Sequence, residues 1–160
     1  MAPGGLNAAL SLENPVFKAF ITYAVIVIVK TMLMSIVTAL NRFKNKAFAN
    51  PEDARGMKDK EGGRLKPVTN LDVERVRRCH LNDLENVIPF VLIGLLYVAT
   101  SPALSTALLH FRLFAGSRLF HSVAYLLPLP QPSRALGFFV GYLTTFSMAY
   151  STAAAVGFAL

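Results

Sequence analysis

Arg78, Asn82 and Glu85 stand at i, i+4 and i+7 within the stretch Val73–Phe90. At about 100° per residue they fall on one face of a helix. A guanidinium, an amide and a carboxylate side by side suit a small ligand that itself carries carboxylates, amide bonds and an amine. Arginine meets a carboxylate through two parallel hydrogen bonds, and glutamate meets an ammonium. Arg118, His121 and Tyr125, at i, i+3 and i+7, form a second such face, and Arg42 and Arg134 stand at the ends of apolar runs. If the ligand bears a thiol, a guanidinium or phenol beside it favours the thiolate, which is the nucleophilic form. No metal is expected, because His80, His110 and His121 lack the spacing of a ligand set and Cys79 is the single cysteine. Neither a phosphate-binding glycine loop nor a G-x-S-x-G turn is present.

The elements that must carry these residues are unusually apolar. The chain of 160 residues is 54% hydrophobic and 16% charged, with a mean hydropathy of +0.47. That composition indicates a small polytopic membrane protein. Residues 1–13 read as a short, loosely ordered lead-in. Asn14-Pro15 then supplies an N-cap with proline at the first helical position. Four transmembrane helices are predicted at about 15–44, 72–100, 102–127 and 132–158, with a loop at about 45–71 rich in Pro and Gly. The first apolar run, Val16 to Leu40, exceeds what a hydrocarbon core of roughly 30 Å requires. Pro89 lies inside the second helix, Ser101-Pro102 opens the third, and Pro128, Pro130 and Pro132 separate it from the fourth. The expected architecture is an all-α, up-down four-helix membrane bundle forming a single domain over 1–160.

Eleven of the 16 Lys+Arg residues lie between Asn41 and His80. They do not spell a nucleic-acid-binding module, and apolar segments flank them on both sides. The positive-inside rule accounts for them by placing this loop in the cytoplasm. Arg42, the Arg78/Asn82/Glu85 face, the Arg118/His121/Tyr125 face and Arg134 then share one leaflet, and the expectation is that they meet in one pocket. Charges at membrane depth are costly unless paired or facing a protected interior. Antiparallel register sets Lys30 and Asp83 at nearly equal depth, so these two are expected to pair for structural reasons. Arg112 and the i, i+4 pair Glu74/Arg78 are assigned to structure.

Several motifs carry a resemblance. Val73-Glu-Arg-Val-Arg-Arg-Cys-His-Leu-Asn-Asp-Leu-Glu-Asn86 resembles the type 1 microsomal glutathione transferase branch of the membrane-associated proteins in eicosanoid and glutathione metabolism. So do Lys46-Ala-Phe-Ala-Asn-Pro-Glu-Asp53, His110-Phe-Arg-Leu-Phe114, Ala124-Tyr-Leu126 and Pro128-Leu-Pro-Gln-Pro132. The likeness runs from about Phe17 to Tyr150. It implies a homotrimer in the endoplasmic reticulum and mitochondrial outer membranes. Glutathione, as co-substrate, would lie between subunits near the cytosolic face. The implied chemistry is conjugation of the thiolate to hydrophobic electrophiles and reduction of lipid hydroperoxides. Carried over by position, Arg42, Arg78, Asn82, Glu85, Tyr125 and Arg134 match the family's glutathione contacts, with His80 and Arg118 close by. Arg134 is implied to stabilise the thiolate and Tyr125 to orient the tripeptide.

Two departures refine the expectation. The related prostaglandin E synthases carry a serine after the arginine matching Arg134 and an arginine after the core histidine, where this chain has Ala135 and Leu81. The transferase reading is favoured over the isomerase. A third reading is a non-catalytic lipid-presenting protein of the same fold. The loop cysteine typical of the type 1 branch is Ala54 here, which argues against activation by thiol reagents.

Overall fold

The computed structural model describes residues 5–57, 63 and 66–158. Among these the chain is helical, with no strand: α1 Gly5–Ala9, α2 Pro15–Asn45, α3 Leu71–Ala99, α4 Leu104–Leu126 and α5 Ser133–Ala155. The basic residues Lys58, Lys60 and Arg64, and Gly62 of the predicted loop, lie outside the described residues.

Local sequence sets each boundary. Asn14 caps α2 by accepting from Val16 N–H at 2.9 Å, with Pro15 next in line. Its amide nitrogen also donates to the carbonyl of Ala9 at 2.7 Å. This bond ties α1 to the start of α2, so a one-turn helix stands where a loose lead-in was expected. At the other end of α2, Lys46 adopts φ 49° and turns the chain out of the helix. Asn70 caps α3 by accepting from Asp72 and Val73 N–H, and Asp72 and Glu74 in the first turn complement the helix dipole.

The third long helix opens at Leu104 rather than at 102. Ser101, at φ 55°, spends its N–H on the carbonyl of Val98 to close α3, so the next helix waits two residues. The last helix ends at Ala155, three residues short of the expected 158. Gly157 at φ 76° allows Gly157 and Phe158 N–H to fold back onto Ala154 and Ala153.

α2 packs on α3 and α4, and α5 packs on α4 and α3. Between them is an aromatic layer in which Phe90 stacks on Phe114 with centroids 3.8 Å apart, and Phe20 and Phe111 tilt against each other at 5.6 Å. Close approach depends on small residues. A Cβ on Gly94 would lie 2.4 Å from the ring of Phe20, and one on Gly137 would lie 2.9 Å from His121 Cβ and 3.1 Å from its Cα. The backbone of α4 cannot yield as a flexible side chain could. Gly137→Ala is therefore expected to lower stability by about 1–3 kcal/mol. Gly116→Ala, where a Cβ meets nothing within 4 Å, serves as the control in thermal unfolding of detergent-solubilised protein. Equal melting temperatures for the two variants would contradict this packing.

Large apolar side chains cover the outside. Val25, Ile28, Met32, Leu33, Ile36 and Leu40 are all exposed along α2, a surface unsuited to water. α2 and α3 are long and apolar enough to cross a membrane.

Candidate functional site

The site residues arise where α2, α3, α4 and α5 meet, with Ala47, Ala49 and residues 67–70 of the connecting loop beside Arg42 and Arg77. At the centre is Asp83, wholly buried on α3. Its Oδ1 accepts from Arg118 Nη2 at 2.7 Å and from the ammonium of Lys30. The expected Lys30–Asp83 pair is present, but it is part of a triad. Arg118 Nη2 also reaches Asn82 Oδ1 at 2.9 Å and His121 Nδ1 at 3.1 Å. Arginine offers only donors, so Asn82 must turn its oxygen toward Arg118 and leave its amide N–H₂ for another partner. By the same logic, His121 Nδ1 is an unprotonated acceptor.

Arg118 is fully enclosed, at 0% exposure. The resemblance implied a place for it close to the glutathione contacts; in the folded chain its guanidinium lies behind Asn82. α4 is apolar on nearly all sides, so spacing alone could not tell which way its polar face is turned. Gly137 and Gly141 of α5 cover that face.

Three further groups surround this centre. Arg42, Arg78 and His80 line a cleft of about 480 Å³ between α2 and α3, together with Glu74 and Arg77. Glu74 pairs with Arg77 at 2.7 Å rather than with Arg78, because the i+3 side chain takes the carboxylate first. Arg78 is thereby left without an ion pair among the described residues. Tyr125 packs beside Met34, Val76 and Cys79, its ring 5.1 Å from that of His121. The guanidinium carbon of Arg134 sits 5.0 Å from the Tyr125 centroid, a cation–π arrangement. Glu85 is exposed and lies in a separate groove of about 350 Å³ with Asn86, Pro89 and Tyr142. Pro89 offers no N–H to the Glu85 carbonyl.

Within one chain these groups are neighbours around α3, but they do not share a single pocket as the sequence led us to expect. Arg78 opens into the cleft between α2 and α3, whereas Glu85 opens into the groove between α3 and α5. Among the described residues no three of His, Cys, Asp and Glu come together.

Residues 20–154 match the MAPEG family. The chain belongs to the MAPEG family. It is 57% identical to human microsomal glutathione S-transferase 1 and 56% identical to the mouse protein, each over 139 residues covering 87% of this chain and 90% of the relative. Human prostaglandin E synthase is 36% identical over 141 residues, 88% of this chain and 90% of its own length. MAPEG membership and the apolar exterior of α2 and α3 together make this a membrane protein.

Several residues of this MAPEG chain have partners that the sequence did not name. Arg112 donates from Nε to Tyr23 Oη at 3.2 Å, joining α4 to α2. Cys79 is wholly buried, its Sγ 3.7 Å from Ser122 Oγ, and Ala54 in the loop is also buried. His110 bridges Tyr97 and Ser147 at 3.3 Å and 3.0 Å. Sequence reading missed this link, since its three residues come from three helices and share no spacing.

Proposed function

We propose that the protein is a membrane-bound glutathione transferase that conjugates the glutathione thiolate to hydrophobic electrophiles and reduces lipid hydroperoxides with the same thiol. One observation carries the reading. Arg42, Arg78 and Arg134 have no carboxylate partner among the described residues, and the Nε of both Arg42 and Arg134 is buried without a hydrogen bond. Guanidinium groups gathered at one end of apolar helices without internal anions call for an anionic ligand. Glutathione supplies two carboxylates and a thiolate for them, and an ammonium for Glu85. The kinship to glutathione transferases at 55–57% identity supports the same substrate.

In this proposal α2 to α5 span the bilayer as an up-down four-helix bundle, one domain over residues 1–160, with the loop between α2 and α3 in the cytosol. Three copies assemble, in the endoplasmic reticulum and mitochondrial outer membranes, with each glutathione held between neighbours near the cytosolic face. Because Arg78, Glu85 and Arg134 lie on separate faces of one chain, a second copy is needed to close the pocket. Arg42, Arg78, His80, Asn82 and Glu85 bind the tripeptide. Arg134 stabilises its thiolate, Tyr125 orients it, and Arg118 acts through Asn82. The exposed apolar faces beside them admit a lipid-soluble electrophile from the bilayer. Ala135 and Leu81 stand where the prostaglandin synthase pattern has serine and arginine, so the isomerase reading is disfavoured.

Purified protein in detergent is expected to conjugate glutathione to chlorodinitrobenzene, followed by the absorbance of the thioether. Lipid binding without conjugation would overturn the catalytic reading in favour of a lipid-presenting protein.

A further inference from the structure

The buried triad holds more positive than negative charge. α2 contributes Lys30, α3 contributes Asp83 and α4 contributes Arg118, and both cations share the single oxygen Asp83 Oδ1. The other side chains at the centre do not offset the difference. Asn82 and Asn86 are neutral amides, and the thiol of Cys79 faces Ser122. His121 accepts at Nδ1 from Arg118, which makes its ring neutral. α5 meets the centre with Gly137 and Gly141, and the one charge it brings near His121, that of Arg134 beyond the Tyr125 ring, is positive as well. Two cations thus face one anion. Arg118 Nε and Nη1 are buried without partners, as is Asp83 Oδ2.

An unmatched charge enclosed among helices is costly by itself. Asp83 and Arg118 are wholly buried and the Lys30 side chain is only 12% exposed, so the field is weakly screened. The polar way out from Arg118 runs through Asn82 on one side and through His121 to Tyr125 and Arg134 on the other. Both routes lead to the residues assigned to glutathione.

We infer that the Lys30–Asp83–Arg118 centre is an electrostatic device as well as a structural one: its one unbalanced positive charge favours the thiolate form of glutathione bound outside it. Lys30 is then a positioning residue for charge that never touches the substrate. This inference rests on the glutathione reading of the site. At an effective dielectric of about 20, a unit charge at about 10–15 Å moves a thiol titration by about one pH unit, roughly tenfold in thiolate fraction on its acidic limb.

The test is titration of bound glutathione by the ultraviolet absorbance of its thiolate, at low ionic strength, in the purified full-length protein. Lys30→Met leaves the balanced Asp83–Arg118 pair and is expected to move the titration up by about one unit. Lys30→Arg should restore it. Asp83→Asn, where it folds, should move it down, and the double variant Lys30→Met/Asp83→Asn should return it close to the wild type. A purely structural role predicts no such alternation of sign. Lys30→Met and Lys30→Arg decide the matter even if Asp83→Asn does not fold. Glutathione bound by Lys30→Met with an unchanged titration overturns this inference alone. Absence of glutathione uptake by the wild type in equilibrium dialysis overturns the reading beneath it as well.

Discussion

Arg134→Ala is expected to lower kcat/KM for conjugation by about 10²–10³-fold, in the range seen when one preorganised donor to a reacting anion is removed. Arg134 opens α5 and is half-buried, its guanidinium set over the Tyr125 ring and its Nε without a partner. It pairs with no carboxylate among the described residues, so the fold loses little when it is removed. The thiolate absorbance of bound glutathione should fall in parallel, while the melting temperature stays near the wild type. Arg134→Lys should recover part of the rate, since the charge returns without the planar face that stacks on tyrosine. A variant that retains full conjugation would remove Arg134 from the chemistry.

Asp83→Ala is expected to cost about 3–5 kcal/mol of stability, because it leaves buried cations without their counter-charge. Two cations depend on this carboxylate, so the damage should exceed that of Lys30→Met, which leaves Asp83 matched with Arg118. The triad also changes what the double variant should do. For an isolated Lys30–Asp83 pair, removing both partners would restore stability. With Arg118 on the same oxygen, Lys30→Met in the Asp83→Ala background still leaves Arg118 stranded, and recovery should be partial. A double-mutant cycle read by thermal unfolding separates these cases. Full recovery would mean that Arg118 draws no support from Asp83.

The contrast between Lys30 and Arg118 shows what the sequence could convey. Lys30 and Asp83 were legible because an antiparallel hairpin fixes depth from residue counts alone, and few lysines stand so far inside an apolar run. Arg118 was legible as part of a polar face, but the direction of that face was not. It depends on how α4 is rotated against α5, where Gly137 and Gly141 let α5 come close to His121 and to Ser117 and Arg118. Asn82 and Arg78 lie on one predicted face, yet one is bound to Arg118 and the other is open. A helical wheel gives direction but not the reach of a neighbour's side chain. The turn at Ser101 and the end of α5 turned on backbone hydrogen bonds that no hydrophobic pattern encodes, although Gly157 was a usable stop signal.

The pocket itself was the least legible feature. Spacing and topology placed the polar residues at one end of the helices, and the folded chain distributes them around α3, with Arg78 and Glu85 open to whatever packs there. In the proposed assembly a second copy closes the pocket, and no periodicity within one chain records such a contact.

Electron cryomicroscopy of the purified protein saturated with glutathione is the most direct test of that site. The tripeptide is expected between two subunits, its carboxylates on Arg42 and Arg78, its ammonium at Glu85 and its sulfur beside Arg134 of the adjoining chain. Glutathione bound away from these side chains, or Arg78 and Glu85 turned to lipid in the assembled protein, would contradict the account.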